Sequence, residues 1–358
     1  MENTFRILVI NPGSTSTKIA VFLNSDCLME TTIRHPAEEL SCFNAIPDQL
    51  LFRKTLIKET LDSKDISLSS IDAIVGRGGL LKPMESGTYF INEKMLDDLK
   101  KGVQGQHASN LAGIIARNIG DEIHKPSYIV DPVVVDEMED IARITGLPEI
   151  QRTSIFHALN QKSVAKSVAK ELSRKYEDLN LIVAHLGGGI SIGAHKKGKV
   201  VDVNNALDGD GPFSPERAGS LPSEKLLKMF FHGRYSMDDV KKKLVGKGGL
   251  VAHLGTNDAK EVNKMIDSKN KHAELIYKAM AYQIAKEIGS YAAVLKGSVD
   301  AIILTGGIAY DSRFIDWISA HVAFISKIIV FPGENEMTAL AEGVLRVLDG
   351  SEEGKEYA

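Results

Sequence analysis

Residues 7–22 read ILVINPGSTSTKIAVF, two apolar runs on either side of Asn-Pro-Gly-Ser-Thr-Ser-Thr-Lys. Ile7 to Ile10 is apolar without a break, the pattern of a strand covered on both faces. Lys18 to Leu23 resumes a β-rich pattern after the turn. The stretch is therefore a β-hairpin. A Walker-type phosphate loop is the competing reading, and it fails twice: that motif needs a second glycine just before its lysine and a helix after it. At the tip, Pro12 removes one donor and Gly13 permits unusual backbone angles. Ser14, Thr15, Ser16 and Thr17 offer hydroxyl and amide donors, and Lys18 adds a positive charge. Such a concave donor set suits phosphate oxygens. A plain surface hairpin with a polar tip stands as the alternative.

The same layout returns in mid-chain. Residues 181–203, LIVAHLGGGISIGAHKKGKVVDV, read strand, glycine turn, strand, Lys-Gly turn, strand. A third strand, AIILTGGIAYDS from Ala301, also ends in paired glycines. Helical patterns lie between. Asn92 and Ser109 look like N-caps, with Gly102 and Gly120 as stops. Longer helices are expected over 158–175, 272–296 and 337–348, the last carrying Leu340, Val344, Leu345 and Leu348 on one face. Strand–helix alternation with a repeated hairpin start implies an α/β protein of two similar halves. The expected domains are 1–150 and 151–336, with a final helix over 337–350 crossing back to the first. The charged tail GSEEGKEYA is expected to fray. Strand-to-glycine turns facing one cleft are where α/β folds bind ligands.

Bulk properties exclude several classes. The chain has 358 residues, 43% hydrophobic and 25% charged, with a net charge of −4. That balance is ordinary for a globular protein with a sizeable core. It argues against nucleic acid or a polybasic membrane anchor as partner. The two cysteines, Cys27 and Cys42, read as reduced thiols, which points to the cytoplasm. The amino-terminal residues MENTFRILVI do not resemble a signal peptide. No apolar run approaches the ~18 residues of a spanning helix.

Taken in order, NPGSTSTK, HLGGGIS and LTGGI resemble the superfamily that contains acetate and sugar kinases, heat-shock chaperones and actin. Within it, the chain resembles the acetokinase family over nearly its whole length. NPGSTSTK is similar to that family's Asn-x-Gly-Ser-Ser-Ser-x-Lys signature, and HLGGGIS to its His-Leu-Gly-Asn-Gly-Ser. GRGGLLKP, DPVVVDEM and GDGPFSPERAGSLP look more like the butyrate kinases of the family than its acetate kinases. The resemblance implies a duplicated actin-like (ribonuclease H-like) fold of two domains, with the nucleotide in the cleft between them. It implies a reversible transfer from ATP to a short-chain carboxylate, giving ADP and an acyl phosphate, with Mg²⁺ as cofactor and a homodimer or larger assembly.

Carried over by position, the phosphate-binding residues are Asn11, Ser14, Ser16 and Lys18. The second phosphate loop is His185 with Gly187, Gly188 and Gly189, and the adenosine loop holds Gly306 and Gly307. The catalytic aspartate falls on Asp131 and the transition-state arginine on Arg217. A histidine of the acyl-site region matches His107. The other active-site arginine falls near Arg77, where VGRGG is shorter than the family's His-Arg-Val-Val-His-Gly-Gly. The magnesium-binding glutamate of an Asn-Glu-Glu motif falls on Glu336. Met337 replaces the second glutamate, which leaves Glu334 as the alternative ligand. On residue type alone, Arg217, Asp131 and Glu336 each have a plain structural reading, and His107 and His157 read as structural histidines.

The chemistry fits these residue types. A fatty acid is already ionised at neutral pH, its pKa being about 4–5, so no general base is needed. A sugar hydroxyl would need one. The task is charge control: an anion must approach a polyanion, and Arg217, Arg77, Lys18, His185 and Mg²⁺ would screen that repulsion. Arginine suits this because its fork binds carboxylate or phosphate bidentately. Glycines in the shortened VGRGG and in GQHAS are expected to leave room for an acyl chain longer than acetate, with Gly78 at its border. Acetate or propionate kinase is the alternative within the class. A non-enzymatic ATP-binding chaperone or filament protein of the same fold is the alternative outside it.

Overall fold

The computed structural model describes residues 4–207, 209–231 and 235–358; the first three residues of the amino-terminal reading above lie outside it. Twelve strands form two sheets among the described residues. In chain order they are β1 Arg6–Pro12, β2 Ser16–Leu23, β3 Asp26–Arg34, β4 Ala73–Arg77, β5 Thr88–Phe90 and β6 Ser127–Val130, followed by β7 Asn180–Leu186, β8 Ile190–Lys196, β9 Lys199–Val203, β10 Ala301–Gly306, β11 Ile328–Pro332 and β12 Lys355–Glu356. The chain divides into two compact units, 1–135 with 335–358, and 136–334.

The first unit holds the sheet β12-β5-β6-β4-β1-β2-β3. The opening hairpin is real: β1 and β2 are antiparallel, with Asn11 opposite Lys18 and Pro12 opposite Thr17. Beside it, β4 and β6 run parallel to β1, so the carboxyl ends of β1, β4 and β6 share one sheet edge. Alternate residues of β1 serve two faces. Leu8 and Ile10 join Ile57, Leu61, Leu111 and Ile115 of the helices Leu50–Asp62 and Asn110–Ile123. The opposite face packs on the helix Glu336–Leu348, which buries Met337, Leu340 and Val344. Gly343 lets that helix come close, since a Cβ there would sit 2.6 Å from Val130 Cγ1.

The second unit holds β11-β10-β7-β8-β9. In both units an antiparallel three-strand meander is followed by two strands parallel to its first: β3-β2-β1-β4-β6 matches β9-β8-β7-β10-β11. The repeat legible in the two hairpin starts is thus a repeat of the whole sheet. Helices Lys271–Val294 and Ser312–Val322 cover one face through Tyr277, Ile284, Ile288, Phe314 and Ile318. Helix Ala158–Glu171 covers the other with Val164, Ala165 and Val168.

Three local details depart from the sequence reading. Asn92 caps its helix, accepting from Met95 N at 3.0 Å, and Gly102 ends it in the left-handed region. Gly120, however, lies inside the helix Asn110–Ile123, which His124 ends instead. Gly120 is small because a Cβ there would collide with Ser127 at the start of β6. Residues 136–150 belong to the second unit, held by a buried pair: Lys162 Nζ lies 2.6 Å from Glu137, whose carboxylate also accepts from Val200 N at 2.8 Å. The tail is docked, not frayed. β12 pairs with β5, and buried Tyr357 donates to Asp98 Oδ2 at 2.9 Å.

Candidate active site

In the first unit the site residues are the last residues of parallel strands. Asn11 ends the buried run of β1, Arg77 ends β4 and Asp131 follows β6. The register places Asn11, like Ile7 and Val9, on the face of the helix Glu336–Leu348, whose first residue completes the cluster. Arg77 grips Glu336 with both arms of its fork, Nη1 to Oε2 at 3.0 Å and Nη2 to Oε1 at 2.7 Å. Asn11 Nδ2 donates to the same Oε2 at 2.9 Å. Planar bidentate pairs of this kind are the strong ones. His107 lies within the field of Arg77; loss of solvent first, and that positive charge second, hold its imidazole below the ordinary range. Its Nδ1 accepts from Ser109 N at 3.2 Å.

Asp131 is buried, with a backbone φ of +38°. A non-glycine residue there costs about 1–3 kcal/mol, and such residues cluster at functional sites. Its carboxylate is pinned, accepting from Ser86 Oγ at 2.6 Å and Gly87 N at 2.8 Å. Lys18 pairs with Glu30 at 2.8 Å, both half-exposed, so the pair contributes little and yields easily. The expectation that small residues near Arg77 open an acyl pocket is not met at Gly78. A Cβ there would lie 3.1 Å from Pro132 Cα and 3.3 Å from Ile129 Cδ1, so Gly78 packs against the protein rather than bordering free space. Gly79 is filled in the same way by Asn110 and Leu99.

In the second unit, β7 delivers His185 and the turn Gly187–Gly189. His185 is buried, its Nδ1 2.7 Å from Asn160 Oδ1, and its ring stacks on His157 with centroids 3.9 Å apart. Asn160 is fixed in turn by donating to the Glu334 carbonyl at 2.9 Å. Glu334 Oε1 lies 3.9 Å from His185 Nε2. The glycines have an internal reason. A Cβ on Gly187 would stand 2.9 Å from His185 Nε2, and one on Gly189 would collide with the Arg217 guanidinium. Arg217 reaches back to the Ala206 carbonyl, while Ser214 Oγ bridges from the Gly188 carbonyl (2.7 Å) to Arg217 N (3.2 Å). Burial pushes the guanidinium down from its ordinary range, and Glu216 opposes that. Gly306, at φ +90°, is pressed against Leu186 and exchanges two backbone bonds with Gly333, at 3.1 and 3.0 Å. Gly307 stands open on its outer side.

His157 reads as structural in the sequence, yet the structure puts it beside His185. A chain of hydrogen bonds runs behind it. Burial, with Lys162 adding to it, holds His195 well below the ordinary range, so it is neutral. Tyr176 Oη lies 2.7 Å from its Nδ1, and its Nε2 pairs with Gln161 Oε1 at 3.0 Å. Gln161 then donates from Nε2 to Ser191 Oγ at 2.8 Å. Ser191 Oγ in turn lies 2.8 Å from His157 Nδ1. Asn160 and Gln161 were also missed. They sit in an ordinary helical pattern, and no local signal marks them.

Comparison with known proteins comes from three directions. The profile of the acetokinase family matches residues 149–325. Butyrate kinase 2 of Clostridium acetobutylicum is 59% identical over 353 residues, covering 99% of each chain. Among solved structures, the acetate kinase of Porphyromonas gingivalis superposes with a TM-score of 0.78 at 19% identity, over 95% of this chain and 99% of that one. A propionate kinase from Francisella tularensis gives 0.74 at 21% identity, over 95% and 98%. These likenesses show the actin-like ATPase fold.

Proposed function

Since the chain belongs to the acetokinase family, we propose that it transfers the terminal phosphoryl group of ATP to a short-chain fatty acid, with butyrate or isobutyrate preferred, and runs the reaction in both directions. The observation that carries the carboxylate part is the Arg77 fork, which already holds a carboxylate bidentately, that of Glu336. The preference for a four-carbon acid rests on the 59% identity to butyrate kinase 2.

The geometry supports the following roles. Arg77, with His107 nearby, orients the acid by its carboxylate. The Ser14–Ser16 turn, Lys18 and the Gly187–Gly189 turn bind phosphates, and Gly307 offers open backbone to the nucleoside. Arg217, with His157 beside the Gly187–Gly189 turn, faces the oxygens of the phosphoryl in flight, where charge develops. His185 holds the His157 ring in place. Pinned Asp131 fixes the strand end beside Arg77. Mg²⁺ needs only one or two protein carboxylates when phosphates and water supply the rest. Glu336 fits, because three donors occupy its oxygens and a carboxylate offers about four acceptor positions. Glu336 with Asn11 would hold the ion. When bound, it would neutralise phosphate charge.

The test is acyl phosphate trapped with hydroxylamine, using acetate, propionate, butyrate, isobutyrate and valerate at saturating MgATP. Two methylenes are worth roughly 1.6 kcal/mol, or about tenfold, in a pocket that fits them. We expect kcat/KM for butyrate or isobutyrate to exceed that for acetate by at least that factor. A higher value for acetate returns the chain to the acetate or propionate kinases. ATP hydrolysis without acyl phosphate would favour a chaperone or filament protein.

A further inference from the structure

Arg53 lies in the helix Leu50–Asp62, outside every motif above, and its side chain is fully buried. A buried guanidinium is costly unless its donors are paired. Here they are. Nε and Nη2 donate to Gln49 Oε1 at 3.0 and 2.9 Å. Nη2 also reaches the Ser14 carbonyl at 3.2 Å. Nη1 reaches the carbonyls of Gly13 at 2.9 Å and Ser16 at 3.0 Å, and Thr17 Oγ1 at 3.0 Å. The remaining carbonyl of the turn, that of Thr15, accepts from His35 N at 2.9 Å.

All four carbonyls from Gly13 to Ser16 are therefore drawn to the protein side. In a trans peptide the N–H points opposite to the C=O. Pulling in the carbonyls of Gly13, Ser14 and Thr15 turns the N–H groups of Ser14, Thr15 and Ser16 outward. Successive outward N–H groups make an anion-binding concavity, and the four carbonyls of the turn itself are taken up by protein donors. A cation buried behind the turn adds an attractive field in a medium that screens it poorly. Burial lowers the guanidinium to about 10, so it is charged at neutral pH.

We propose that Arg53 is a positioning residue for nucleotide phosphates: it folds the Gly13–Ser16 turn into a donor-only surface without touching the ligand. This rests on the reading of that turn as a phosphate site. The experiment measures KM for MgATP, KM for butyrate and kcat in four enzymes. Arg53→Lys keeps the charge but loses the fork. Gln49→Leu keeps Arg53 but frees its Nε. The Ser14→Ala, Ser16→Ala double variant removes ligand-facing hydroxyls. The parent enzyme is the reference. We expect Arg53→Lys to raise KM for MgATP about tenfold, the worth of one charge-assisted hydrogen bond, with KM for butyrate within about twofold. Gln49→Leu should move it in the same direction by less, and it carries the test alone if Arg53→Lys does not fold. If the serine variant raises KM for MgATP while the other two leave it unchanged, the positioning role is overturned and the phosphate reading stands. If the serine variant also leaves it unchanged, the phosphate reading falls and takes the proposal with it. Equal losses in both KM values and kcat would make Arg53 a residue of stability alone.

Discussion

Arg217 occupies the space that a side chain on Gly189 would fill. Gly189 therefore makes room for the protein's own Arg217, and Gly187 for His185, before any ligand arrives. The motif was legible in the sequence; its reason was not, because a run of glycines does not say what fills the space beside it. From its burial and its partners on Ala206 and Ser214, we expect Arg217→Lys to bind MgATP normally and to turn over about a hundredfold more slowly. A variant within a few-fold of the parent removes Arg217 from the mechanism. The two candidate metal ligands differ at the same scale. Glu336 shares its oxygens with Arg77 and Asn11, whereas Glu334 lies in the other unit, near His185. We expect Glu336→Gln to raise the Mg²⁺ concentration for half-maximal rate by about tenfold or more, the effect of losing a charged contact of roughly 1.4 kcal/mol. Glu334→Gln should leave it nearly unchanged, and the reverse result would move the ligand by two residues.

At the scale of elements, strands were the easier reading and supports the harder one. Apolar runs and glycine turns mark β1, β2, β7, β8 and β10, because strands covered on both faces cannot hide their composition. The helix Leu50–Asp62 shows no such signal for Arg53, whose meaning depends on carbonyls 37 to 40 residues away. His35, against the same turn, makes this support sensitive to acid. Thr17 Oγ1 accepts from Arg53 and lies 2.8 Å from His35 Nε2. Burial, then the Arg53 charge, lowers His35 from 6.5 to about 4. Between those values the unfolded chain binds a proton that the folded chain refuses. Stability should therefore fall as pH drops from about 6.5 toward 4 and lose this dependence below 4. Melting temperatures of the parent and His35→Gln across that range check it. The variant should show the shallower slope, and equal slopes would mean that another group controls the acid limb.

For the whole molecule, the duplicated sheet and the return of the last helix were readable, since both repeat or complete a hydrophobic pattern. The docked tail was not. Tyr357 stands alone in a charged stretch without periodicity, yet its hydroxyl donates to Asp98 and accepts from Lys82 N at 3.2 Å, and burial with the Asp98 bond raises it to about 12. We expect Tyr357→Ala to cost about 3 kcal/mol in urea unfolding, as for other large buried side chains; no change would mean that the tail is loose in solution. The same return of the chain dictates an order of assembly. Residues 136–334 form a continuous unit, whereas the first unit waits for 335–358. Chains usually complete their amino-terminal domain first during synthesis. Here the ribosome finishes the second unit while the first still lacks a helix, an edge strand and Glu336. Until then Arg77 has no carboxylate to grip, and a nascent chain halted before residue 335 would carry a folded later half behind an unfinished earlier one.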